Sequence, residues 1–75
     1  MLSLAIVDDC RIAEAATECL RASPYKVLAG VACECDDGVL FLRGQVSSFY
    51  LKQHAQEAVA GVNGVTQVVN EIEVA

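Results

Sequence analysis

The chain has no tryptophan, one histidine, one proline and only five basic residues among its 75. Each shortage excludes something. Five Lys and Arg against ten Asp and Glu leave a formal net charge of -5. Nucleic-acid binding is thereby excluded, because neutralising phosphates takes a surplus of cations. The same deficit argues against charge-driven adhesion to an anionic membrane. The lone histidine, His54, has no readable base or orienting partner in the sequence, so no Ser-His-Asp or Cys-His arrangement is available. Enzymatic activity is not expected, and no cofactor is implied. No apolar run approaches the roughly 18 residues of a membrane span. The apolar opening Met1–Val7 is closed by Asp8-Asp9, lacks a basic flank, and is followed by no small-residue cleavage site. As given, the chain reads as cytoplasmic, or as a mature or excised domain.

What is present is strongly apolar. Hydrophobic residues make up 55%, led by eleven Val and eleven Ala, and aromatics only 5%. Mean hydropathy is +0.43, too high for a disordered tail. Collagen, coiled coil and low complexity are excluded by composition. A chain of 75 residues makes one domain. At that size only about 60% of the unfolded surface is hidden, so stability is modest.

Residues 9–75 carry five elements, preceded by an extension over residues 1–8. The spacing of Ile12, Ala16, Cys19 and Leu20 predicts a helix over residues 9–22, with Asp9 as its N-cap and Ser23-Pro24 as its stop. Residues 30–46 read as a β-hairpin. Val31, Cys33 and Cys35 share one face of its first strand, and Asp36-Asp37-Gly38 makes the turn. In the second strand, Val39–Val46, Leu40, Leu42, Gly44 and Val46 face the core. Gly44 there suggests a bulge or a close approach by a helix. A second helix over residues 48–61 follows, capped by Ser47 or Ser48, with Leu51, Ala55, Ala58, Val59 and Val62 inward and Lys52, Gln53, Gln56 and Glu57 outward. Gly61 and Gly64 bracket its exit, and Val65–Val74 is the last strand. The expectation is an α+β fold: a two-layer αββαβ sandwich whose three-stranded mixed sheet is covered on one face by two helices. A helix joining parallel strands is a right-handed crossover.

Four cysteines are present: Cys10, Cys19, Cys33 and Cys35. Free cysteines commonly behave as small buried hydrophobes, and Cys19 and Cys33 read that way. In Cys33-Glu34-Cys35 the two thiols share a strand face about 6.5 Å apart, which suits a soft metal but not a mutual disulfide. No C-x₂-C pair is present to complete a zinc site, so no metal is expected. A disulfide from Cys19 to Cys33 or Cys35 stays open. The acidic pairs Asp8-Asp9 and Asp36-Asp37 read as a cap and a turn rather than a calcium loop.

The segment Asp37-Gly-Val-Leu-Phe-Leu-Arg-Gly-Gln-Val46 resembles the hairpin motif of the BON domain, a polar residue and Gly, then two Val-like residues, then Leu-x-Gly-x-Val. Gly64-Val-Thr-Gln-Val-Val-Asn-Glu-Ile-Glu-Val74 resembles the family's ending, Gly-Val-x-x-Val-x-Asn-x-Leu-x-Val. Cys19-Leu20 stands where the family has Ala-Leu, and the resemblance runs over residues 9–75. It implies an αββαβ, non-enzymatic binding module, often periplasmic, of bacterial cell-envelope proteins. It also implies phospholipid surfaces or other envelope components as ligands, and it places Cys33 at a core position.

Five residues are candidate ligand contacts. Phe49 and Tyr50 open the second helix beside Lys52, an apolar and cationic end suited to a membrane interface. Phe41 and Arg43 lie on the sheet face away from the helices, where an exposed aromatic calls for a cover. Gly38, Gly44 and Gly64 are structural. Two functions compete: a phospholipid- or envelope-binding module, and a protein-interaction or homodimerisation domain acting through the open sheet face.

Overall fold

The hairpin organises the chain. In a computed structural model that describes residues 9–75, β1 (Ala32–Asp36) and β2 (Val39–Arg43) pair antiparallel, with Asp36 opposite Val39. Asp37 and Gly38 between them have φ of +52° and +84°, the doubly positive geometry of a type I′ two-residue hairpin turn. The turn is clasped from below. Both the backbone N–H and the hydroxyl of Thr66 donate to the Gly38 carbonyl, at 2.8 and 3.2 Å. The extension over residues 1–8 lies outside the described residues.

The second and last strands are each interrupted where continuous strands were expected. Gly44 separates β2 from β3 (Gln45–Val46) at φ +155°. Its close neighbour is the Gly30–Val31 backbone: a Cβ on Gly44 would lie 3.4 Å from the Val31 Cα and 3.8 Å from the Gly30 carbonyl oxygen. β4 (Gln67–Asn70) runs parallel to β2, and β5 (Glu73–Val74) runs parallel to β3. Between β4 and β5 the Asn70 carboxamide oxygen takes the Ile72 N–H at 3.2 Å. The ladder crosses both gaps through Glu71 N to Leu42 O and Glu73 N to Gly44 O.

The sheet order is β1-β2-β4, antiparallel then parallel. Two helices, α1 (Asp9–Arg21) and α2 (Phe49–Val59), cover one face. Their stripes behave as the periodicity predicts. Ala16 and Leu20 of α1 and Ala55 and Val59 of α2 are buried in one cluster with Leu40, Leu42, Val46 and Ile72, and Ile12 of α1 is buried as well. Ser48 caps α2, its hydroxyl accepting from Leu51 N at 3.3 Å. The exit of α2 differs from expectation: Ala60 is right-handed, and the left-handed residue is Gly64, in the loop beyond. A 3₁₀ helix (Lys26–Gly30), with no counterpart in the sequence reading, seats Leu28 wholly in the core.

Asp9 does not cap α1. It lies inside the first turn, and its carboxylate reaches the hairpin, accepting from Asp37 N at 3.0 Å and from the Cys35 thiol at 3.5 Å. The Asp37 N–H, more than the thiol or the Gly38 N–H, holds the Asp9 carboxyl below its ordinary value. A depressed folded-state pKa gives stability that is present above the unfolded value, about 4, and lost as pH falls through the folded one. Acid should therefore loosen this tie between α1 and the hairpin. Urea melts of Asp9→Asn against the parent, compared at neutral pH and below pH about 3, should show a gap that narrows in acid. An unchanged gap would contradict the tie.

Candidate functional site

α1 ends at Arg21, and the chain turns at Ser23, whose hydroxyl accepts from Tyr25 N at 3.2 Å. The 3₁₀ helix follows at once. Close approach of Gly44 and Val31 sets its end against the β2–β3 break, from which α2 starts after two serines. The two segments meet through three rings. The Tyr25 and Tyr50 hydroxyls are 2.9 Å apart, and their rings stand edge to face with centroids at 5.8 Å. His54, one helical turn beyond Tyr50, stacks on Tyr50 at 6.0 Å and meets the Tyr25 ring edge at 4.8 Å. The hydrogen bond to Tyr50, followed by desolvation, raises the Tyr25 pKa above its ordinary value. Tyr50 thus packs on Tyr25 and His54.

This interlock joins the two segments that carry the exposed large apolar side chains. Phe49 is 73% exposed, Tyr50 62% and Val27 47%, and these are the exposed large hydrophobics among the described residues. Both lysines of the chain, Lys26 and Lys52, flank them in sequence on the same two segments. Neither forms an ion pair among the described residues. Lys52 is half-buried rather than fully outward.

Phe41 and Arg43 lie elsewhere, on the open sheet face. Arg43 donates to Glu34 of β1 and to Glu71, just past β4, the latter at 2.8 Å. One guanidinium therefore ties β1 and β2 to the segment that follows β4. It also lies 5.5 Å over the Phe41 ring, and the bond to Glu34, then that to Glu71, holds its pKa above the ordinary value. Phe41 is half-buried beneath it. Phe49, Tyr50 and Lys52 thus share the first turn of α2, whereas Phe41 and Arg43 lie on the sheet.

Tyr25, Lys26 and Val27 belong to the joined segments and were missed in the sequence, where they follow a helix stop with no periodic pattern. Gly38, Gly44 and Gly64 all hold positive φ. The four cysteines are free thiols. Burial, partly opposed by the Thr17 hydroxyl, raises the Cys33 pKa. Burial and then the Asp9 contact do the same for Cys35, so neither is poised as a thiolate nucleophile. No helix of the described residues is long and apolar enough to cross a membrane.

No curated protein matches the chain. The family model of the BON domain matches residues 8–75.

Proposed function

The chain belongs to the BON domain family, a family of small non-catalytic binding modules, and on that premise we propose that it binds phospholipid surfaces of the cell envelope through Val27, Phe49 and Tyr50. One observation supports this most. The large apolar side chains left in water, Val27, Phe49 and Tyr50, lie on two segments that the Tyr25–Tyr50–His54 contacts join. Lys26 and Lys52 lie on the same two segments and would serve as headgroup partners.

The magnitudes indicate weak, reversible binding. Burying a large apolar side chain contributes about 1.5–3 kcal/mol. Each lysine adds about 1 kcal/mol near an anionic surface, against the general repulsion of a chain with net charge -5. Affinity therefore depends mainly on the apolar side chains and only slightly on salt. The alternative, a homodimer through the open sheet face, has less support, because Arg43 already covers Phe41 there.

Titrating phosphatidylglycerol and phosphatidylcholine vesicles into labelled protein should broaden amides at residues 25–27 and 49–54. Phe49→Ala should weaken binding by about tenfold or more, with its dispersed spectrum unchanged. Spectra unaffected by either vesicle would overturn the proposal.

A further inference from the structure

Among the described residues β1 has a strand neighbour on one side only. Its free edge is not blank. Because the two-residue turn makes Asp36 and Val39 a hydrogen-bonded pair, Glu34–Phe41 and Ala32–Arg43 are hydrogen-bonded pairs too. Cys33 and Cys35 therefore direct their N–H and C=O groups away from β2, as an unmatched strand edge does. The two sides of that edge differ. On the open face stand Glu34 and Asp36, both exposed. On the helix side a groove of about 380 Å³ runs between α1 and β1, with Ala13, Thr17 and Cys33 in its lining beside the charged Glu14, Glu18 and Arg21.

We infer that the β1 edge is a docking site for an extended segment of a partner protein in which small apolar residues alternate with Lys or Arg. Period-two alternation follows from the pleat. Every second side chain of an added strand falls toward the α1–β1 groove, where small apolar groups fit. The intervening ones stand over Glu34 and Asp36, where cations are favoured. The same carboxylates oppose pairing of two copies. A symmetric antiparallel dimer through β1 sets Glu34 and Asp36 of each copy against those of the other, and like charges across strands repel. Arg43 offsets one of these charges by bonding Glu34, whereas Asp36 has no ion pair among the described residues.

The test uses two capped pentapeptides, Lys-Val-Lys-Val-Lys and Glu-Val-Glu-Val-Glu, with amide hydrogen exchange read at Cys33 and Cys35. The basic peptide should slow exchange at both amides and shift Glu34 and Asp36 resonances; the acidic one should do neither. In Glu34→Lys/Asp36→Lys the basic peptide should bind about tenfold more weakly and the acidic peptide should be preferred. Should that variant lose its dispersed spectrum, Glu34→Gln/Asp36→Asn reads the same term by weakened binding of the basic peptide. No protection by the basic peptide overturns the inference. So does equal binding of both peptides, indifference to the charge changes, or Cys33 and Cys35 amides already slow in the free chain.

Discussion

Leu28→Ala is expected to come close to unfolding the domain, while Val27→Ala next to it is expected to leave stability nearly unchanged. Leu28 is wholly buried and Val27 is 47% exposed, although the two are adjacent on one turn of the 3₁₀ helix. Truncating a buried leucine costs about 2–5 kcal/mol, the spread reflecting how far the site collapses. Ordinary domains hold about 0.05–0.15 kcal/mol per residue, so a chain of 75 residues has little margin. Since 1 kcal/mol moves Tm by about 4–8 °C at this size, a fall of at least about 10 °C should appear by calorimetry. Leu28 anchors the 3₁₀ helix that carries Lys26 and Val27, so its loss should also weaken vesicle binding when measured below Tm. A small shift with Leu28→Ala, or equal shifts for both variants, would show that the 3₁₀ helix is not part of the core.

Most of the fold was legible because most of it is periodic. Ile12, Ala16 and Leu20 recur at helical spacing and are buried; Leu40 and Leu42 alternate with Phe41 and Arg43, and the pleat separates them as read. What was not legible has no period. Leu28 lies in the short stretch Tyr25-Lys-Val-Leu-Ala-Gly30, whose apolar residues follow no period that singles it out as core. Asp9 looked like a cap because a carboxylate at a helix start commonly is one. Its partner, the Asp37 N–H, is 28 residues away, and local rules do not reach that far. The candidate site divides the same way. Phe49, Tyr50 and Lys52 are contiguous and were read together. Tyr25 joins them only through its contacts with Tyr50 and His54. Phe41 and Arg43 looked available because sequence shows a side chain's face but not its occupant; Glu34 and Glu71 engage Arg43 from either side.

Asn70 carries the second large effect, and its size comes from one side chain making three hydrogen bonds that join α2 to the gap between β4 and β5. Its NH₂ donates to the Lys52 carbonyl at 2.9 Å and faces the Gln56 carboxamide oxygen at 3.3 Å. Its own oxygen accepts from the backbone of Ile72, a residue 1% exposed. It thereby fastens α2 to the gap between β4 and β5 and satisfies a backbone group that the broken strand leaves unpaired. Only a short carboxamide can donate twice to the helix and accept from its own chain two residues on. Asn70→Ala removes all of these bonds, each contributing about 0.5–1.5 kcal/mol, and leaves the Ile72 N–H without a partner. A loss of about 2–3 kcal/mol is expected, read from urea melts with unchanged slope. Asn70→Asp separates the parts. The carboxylate still accepts from Ile72, and Gln56 can turn its NH₂ toward it, but the Lys52 carbonyl loses its donor and faces a negative charge. Its cost should fall between those of Gln56→Ala and Asn70→Ala at neutral pH. It should shrink as the new carboxyl is protonated, because an acid OH restores one donor. Equal losses for Asn70→Asp and Asn70→Ala across that pH range would mean that the Ile72 bond contributes nothing.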